Sequence, residues 1–231
     1  VLLLAIDTAT SAITVALHDG ATVVAEETVL DPRGHAEHLA PALRRVLTAA
    51  SAVPADVTHV VAGTGPGPFT GLRVGLVTAR VFAWARGLPT YGVCSLDALA
   101  HAAYAHGLDE PTPGPIAVAT DARRREVYWA SYELGPHRLP VRTAGPAVAR
   151  AADLPESVRT LPCAGRGPGL YPEALPHARG PLDVAAGAMA DLAVRRLSAG
   201  MDLDDATPRY LRRPDAVPTP AKAVTVPRPA R

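Results

Sequence analysis

LLLAIDTATSAITVAL, Leu2 to Leu17, has a layout that returns later in the chain as IAVATDARRREVYWASY, Ile116 to Tyr132. In both, a continuous apolar run ends in an acid, Asp7 or Asp121, and a tight turn and a return strand follow. In the first copy Ile13, Val15 and Leu17 alternate with Thr14, Ala16 and His18, the period of two that marks a strand. Strand, aspartate, turn and antiparallel strand, met twice, read as a duplicated α/β fold.

Working outward, Asp19-Gly20 is a hairpin turn and ATVVAEETVL supplies a third strand. Ala36, Leu39, Ala40, Leu43, Val46, Leu47 and Ala50 recur at helical spacing, predicting an amphipathic helix that ends before Pro54. Val57 to Gly63 reads as a strand, Gly71 to Arg86 as a second helix, and Tyr91 to Val93 as a strand. Ser95 is placed to cap a helix running to about His106. GLDEPTPGP, Gly107 to Pro115, is the internal linker. Beyond it LPCAG is a short strand, and Asp183 to Ser198 a helix closed by Gly200. This order describes two ribonuclease H-like units of the actin, Hsp70 and sugar-kinase superfamily. The N-terminal subdomain is read as 1–108 and the C-terminal one as 109–213, with a Pro/Arg-rich tail over 214–231. From Pro208 onward the chain holds six prolines and six basic residues against one acid. It is predicted to be ordered at PRYLRR and loose beyond.

Composition narrows the function classes. Over 231 residues, 23 basic side chains balance 22 acidic ones, so the whole chain carries no polyanion-binding signal. Two cysteines, Cys94 and Cys163, fit a reducing compartment and no four-cysteine metal site. The opening run VLLLAI breaks at Asp7, too short for a signal peptide or a membrane span. A soluble cytoplasmic protein is expected, processed or trimmed at a first residue that is not Met.

The glycine-rich stretch GTGPGPFTGLRVG, Gly63 to Gly75, sits between a strand and a helix, where phosphate-binding turns occur. No Gly-Lys-Ser/Thr follows it, and Pro66 and Pro68 remove amide donors that a dinucleotide fingerprint needs. Gly71, Gly75, Ala79 and Ala83 recur every fourth residue and leave a smooth strip on the helix. That strip packs either on the chain's own sheet or first helix, or in a helix bundle shared with another subunit. Asp7, Thr8, Thr10 and Asp121 are candidates for vestigial phosphate loops, and the alternative for Asp7, Thr8 and Thr10 is a turn whose Asp and Thr side chains satisfy their own backbone. Arg123, Arg124 and Arg125, however, stand where the nucleotide-binding relatives carry glycines. They form either a solvated basic turn or a contact to a partner or a nucleic-acid phosphate. His35 and His38 are spaced i, i+3 with Glu37 between them, which is not the zinc-protease spacing. No G-x-S-x-G nucleophile elbow is present.

Four stretches together resemble the TsaB (YeaZ) family: LAIDTATSAITVAL, GHAEHLAPAL, GTGPGPFTGLRVGLVTARVFAWARGLP and DARRREVYWASY. The likeness covers roughly the first 135 residues and is supported later mainly by PRYLRR. Pro68 departs from the family, where a small hydroxyl residue is more frequent. The resemblance implies a non-catalytic subunit, without cofactor or metal, for threonylcarbamoylation of adenosine 37 in tRNAs reading ANN codons. It implies pairing with a TsaD-like catalytic subunit and a TsaE-like P-loop ATPase, a homodimer when alone, and contact with tRNA through the complex but not with membrane. The implied partner interface is His35, His38, Gly71, Leu72, Val74, Gly75, Thr78, Ala79 and Phe82. The resemblance implies that the TsaD-like subunit holds metal with a His pair on the matching helix, so His35 and His38 are read either as a capped, solvated helix start or as a relic of that site. The alternatives are an ATP-dependent kinase or hydrolase of the same superfamily and a metallopeptidase-like protein.

Overall fold

The structure is a computed structural model, and it describes residues 1–106 and 114–212. Most of the expected linker and the whole 214–231 tail lie outside the described residues.

The opening pattern builds β1 (Leu3–Asp7), β2 (Ala12–His18) and β3 (Val23–Leu30), an antiparallel meander. Helix α1 (His35–Ala49), strand β4 (His59–Gly63), helix α2 (Phe69–Arg86), strand β5 (Thr90–Val93) and helix α3 (Ser95–His106) follow. Strands β4 and β5 join in parallel, giving the order β5-β4-β1-β2-β3. Gly87, at φ 65°, closes α2 in the left-handed conformation that glycine adopts at little cost.

The second half repeats the plan with β6 (Ile116–Asp121), β7 (Glu126–Leu134) and β8 (Pro140–Arg150), then helix α4 (Glu156–Arg159), strand β9 (Cys163–Ala164), helix α5 (Gly167–Leu170) and strand β10 (Ala178–Arg179). Its sheet order, β10-β9-β6-β7-β8, matches the first strand for strand. Both halves are thus ribonuclease H-like. Strand β8 has no counterpart in the sequence reading, because Pro140, Gly145 and Pro146 interrupt its pattern. It lies at the sheet edge, where proline is tolerated, and the β7 pairing shifts register opposite Gly145. The chain then returns to the first sheet with helix α6 (Ala186–Ser198) and strand β11 (Asp204–Asp205), which pairs with β5.

Burial explains the layering. On β1, Leu4 and Ile6 face a core shared with α1 and α2, while Leu3 and Ala5 face one shared with α3 and α6. Ile116, Val118, Ala130 and Tyr132 of the second sheet enter that same inner core. Helices α3 and α6 therefore lie between the two sheets. Outside the second sheet, Trp129, Leu154, Val158 and Leu175 make a third core. Among the described residues no helix is long and apolar enough to cross a membrane.

Two polar networks cross the inner layer. Asp97 of α3, 5% exposed, accepts hydrogen bonds from Tyr132 at 2.8 Å, Arg142 at 2.5 Å and Arg196 at 2.9 Å, tying α3 to β7, β8 and α6. Burial alone would raise its pKa, but Arg142 and then Arg196 outweigh it and hold the carboxyl below its ordinary value. Removing one partner of so buried a pair typically costs about 3–5 kcal/mol. Asp191 of α6 accepts from His101 at 2.7 Å and Arg195 at 2.6 Å, and His18 stands 3.9 Å away.

Burial opposes ionisation of Asp191 too, yet the hydrogen bonds from His101 and Arg195 bring its pKa from 3.8 to about 2. A carboxyl depressed in the folded state adds stability that is complete above the unfolded value and is lost as pH falls through the folded one. The melting temperature is expected to drop between pH 3.8 and about 2. Asp191→Asn should be less stable at neutral pH and flatter across that interval; thermal scans at stepped pH measure both.

Candidate functional site

The turn after β1 decides how the first half is assembled. Asp7 is completely buried, accepting from the Ala9 amide at 2.8 Å and from the Ser95 hydroxyl at 2.5 Å. Burial pushes its carboxyl pKa up, against the lowering effect of the Ser95 and Ala9 hydrogen bonds. A Cβ on Gly63 would collide with this carboxylate. Ser95 also accepts from the Gly65 amide at 3.1 Å. Its hydroxyl therefore joins the first turn to the glycine loop and does not cap α3, as its position in sequence predicts. The Cys94 carbonyl receives the first amides of that helix instead.

Thr8 is equally committed. Its hydroxyl donates to the Gly71 carbonyl at 2.7 Å and accepts from the Gly75 amide at 2.9 Å, the i, i+4 pair of one turn of α2. Such close approach requires glycine on the helix: a Cβ at Gly71 would lie 3.1 Å from the Thr8 carbonyl oxygen, and one at Gly75 would strike Thr8 Oγ1. The strip is accordingly an internal seam. Gly71, Leu72, Gly75, Ala79 and Ala83 are all buried within the chain. This corrects the reading of Gly71, Leu72, Gly75 and Ala79 as partner-facing, since their surface is covered by the first turn and the sheet. Val74, Thr78 and Phe82 are half-buried. The outward row, absent from the sequence reading, holds Val77 and Val81 at 57% exposure and Trp84 at 82%. Its signal was available: once the small residues face the sheet, the opposite side must be these residues.

The two histidines of α1 diverge. His35 is buried and donates from Nε2 to the Thr10 carbonyl at 3.1 Å, leaving only an edge toward the cleft between the halves. His38 is half-buried and meets Asp31 at 3.3 Å. Among the described residues, no three histidine, cysteine or acidic side chains are grouped to hold a metal ion.

A cleft of about 270 Å³ separates the halves, lined by Thr10, Ser11, Arg33, His35, Gly71, Asp121, Arg123, Arg166 and Asp183. Of the four vestigial phosphate-loop candidates, Thr10 and Asp121 reach it and Asp7 and Thr8 do not. Its charges are largely matched. Arg166 binds Asp183 through both carboxylate oxygens, at 2.8 and 2.5 Å, and Arg123 stands 3.4 Å from Asp121. Arg123, Arg124 and Arg125 lie at φ 62°, 53° and 65°. The left-handed conformation costs a side-chain-bearing residue roughly 1–2 kcal/mol. The Ala122 amide to Glu126 carbonyl bond, at 3.0 Å, closes the turn.

Residues 208–212 staple the cleft's far side. The Arg209 amide donates to the Thr64 carbonyl at 2.8 Å, Arg73 donates to the Tyr210 hydroxyl at 2.8 Å, and Arg212 pairs with Glu126. The Arg73 guanidinium lies 3.6 Å from the Phe69 ring centroid, and Phe69 packs on Tyr210. PRYLRR is thus ordered through Arg212. Cys94 and Cys163 are buried free thiols, pushed by burial up to about 11 and about 12.

A family model, TsaD: tRNA N6-adenosine threonylcarbamoyltransferase, matches residues 23–175. An uncharacterized protein of Mycobacterium tuberculosis is 44% identical over 218 residues, 93% of each chain. The tRNA threonylcarbamoyladenosine biosynthesis protein TsaB of Escherichia coli is 39% identical over 132 residues, 57% of this chain and 54% of that one. The crystal structure of YeaZ from Pseudomonas aeruginosa superposes with a TM-score of 0.76 at 30% identity, covering 91% of this chain and 99% of the other.

The Thr8 seam sets an expected outcome. Gly75→Ala and Thr8→Ala should each destabilise the chain, by about 1–3 kcal/mol for the overpacked helix and about 1 kcal/mol for the lost hydroxyl. The double variant should cost less than the sum, because the methyl added at position 75 then occupies the space that the Thr8 hydroxyl leaves. Urea unfolding of the four proteins closes the cycle.

Proposed function

The chain belongs to the TsaB (YeaZ) family, and from that membership we propose that it is a non-catalytic subunit in the biosynthesis of threonylcarbamoyladenosine in tRNA. The modified nucleoside is adenosine 37 of tRNAs reading ANN codons. The chemistry belongs to a TsaD-like subunit paired with this chain, served by a TsaE-like P-loop ATPase.

The observation that carries the pairing is the outward row of α2. Val77, Val81 and Trp84, with exposed Arg80 among them, form a largely apolar row on a helix whose inner side packs within the chain. An exposed tryptophan beside an arginine matches the residue types enriched in protein-binding hot spots. The half-buried Val74, Thr78 and Phe82 border this row. The same face accounts for a homodimer when the partner is absent, since one apolar row can meet a second copy of itself.

The accessory role is supported by the state of Asp7 and Thr8. In a nucleotide-binding relative this turn would meet phosphate; here both side chains are spent on Ser95, Ala9, Gly71 and Gly75. The arginine turn further takes the place of a glycine cradle. This arrangement disfavours the kinase or hydrolase alternative. The divergent contacts of His35 and His38 do the same for the metallopeptidase one.

Trp84→Ala is expected to leave the melting temperature of the lone chain nearly unchanged, since the side chain is exposed. It should weaken binding to the TsaD-like subunit by about 2 kcal/mol or more. Calorimetry of the pair beside thermal unfolding of the mutant measures both, and unchanged affinity would remove α2 from the interface. Titration of ATP into the isolated chain is expected to give no saturable heat; micromolar binding would favour the kinase reading.

A further inference from the structure

The arginine turn borders three depressions at once. Arg123 lines both the cleft between the halves and a second hollow of about 190 Å³; Arg124 lines that hollow and a third, of about 570 Å³; Arg125 faces the third. In the third, Arg124 and Arg125 are joined by Arg150 and Tyr171, with Glu173 as the sole acid of its lining. Arg125 and Arg150 are exposed, and neither is ion-paired to an acid among the described residues. The protein as a whole is charge-balanced, yet here basic groups converge on one concave surface. The backbone at 123–125 is held in the left-handed region through three consecutive side-chain-bearing residues, an arrangement that glycines would relieve.

We infer that Arg125 and Arg150, with Tyr171 beside them, form a direct contact to the phosphate backbone of RNA. This chain would then hold tRNA itself while its partner performs the chemistry. Guanidinium groups in a hollow lined by an aromatic ring match the recognition of an exposed RNA strand, where phosphates meet arginine and a base stacks on the ring. A protein partner with an acidic surface is the competing occupant. The concave form and the tyrosine favour RNA. The identity of the RNA as tRNA rests on the function proposed above.

The test uses the full chain and bulk tRNA in fluorescence anisotropy across a salt series. Arg125→Gly removes the charge and also relaxes the backbone, so its melting temperature should hold or rise while RNA affinity falls. Arg150→Ala should act in the same direction, each on the order of threefold, and each should lower the slope of log affinity against log salt by about one. Arg138→Ala is the matched control, because Arg138 is exposed and lies at φ 57° but sits away from the hollow. Affinity unchanged in Arg125→Gly and Arg150→Ala, or lowered equally by Arg138→Ala, would overturn the assignment. So would intact RNA binding with lost affinity for the TsaD-like subunit, which would mark the hollow as a protein contact. Whether cells lacking the chain lose threonylcarbamoyladenosine is measured separately. RNA binding that fails at these two arginines in a chain dispensable for the modification would retain the contact and discard the proposed pathway.

Discussion

The Thr8 hydroxyl, lodged between the Gly71 carbonyl and the Gly75 amide, is the contact on which the first half of the molecule is assembled. It brings the turn after β1 into the backbone of α2, where a Cβ at position 75 would strike the hydroxyl and one at position 71 would press on the Thr8 carbonyl oxygen. The orientation of α2 follows. With one side committed to the turn and the sheet, Val77, Val81 and Trp84 have nowhere to go but outward. A seam chosen for internal packing thereby determines which residues the protein can offer to another subunit.

The same contact commits the first turn to internal packing. Asp7 and Thr8 are structural side chains, bound to Ser95, Ala9, Gly71 and Gly75. The cleft is left with paired charges, Arg166 with Asp183 and Arg123 with Asp121. The halves are joined by a shared apolar core and by polar contacts that cross it. Asp97 gathers Tyr132, Arg142 and Arg196 between the sheets, and residues 208–212 stitch the glycine loop and α2 to β7. The two halves are in this way held by side chains from four or more elements.

Legibility followed range. The first meander, helices α1, α2, α3 and α6, and the duplicated strand-Asp-turn-strand plan are written in local periodicity and turn residues. Strand β8 was not readable because its prolines break the alternation, and only its edge position makes them tolerable. Ser95 reads as a helix cap because serine before an apolar-periodic run usually is one. That it holds Asp7, 88 residues earlier in the chain, is a fact of the folded state. The basic hollow was half legible: the Arg123–Arg125 run stands out, but Arg150 and Tyr171 come to it from separate elements.

The sequence by itself marked Gly71, Gly75, Ala79 and Ala83 as a smooth strip on which a neighbour can settle closely. It could not determine what approaches. A glycine strip is equally open to a threonine of its own chain and to a helix of another, and the choice depends on where β1 places its turn in three dimensions. Family, fold and the paired aspartates were therefore decided by the order of residues. Which face of α2 meets the solvent, whether Asp7 can reach a ligand, and which arginines share a surface were decided by tertiary structure, because each is a matter of distance between segments remote in the chain.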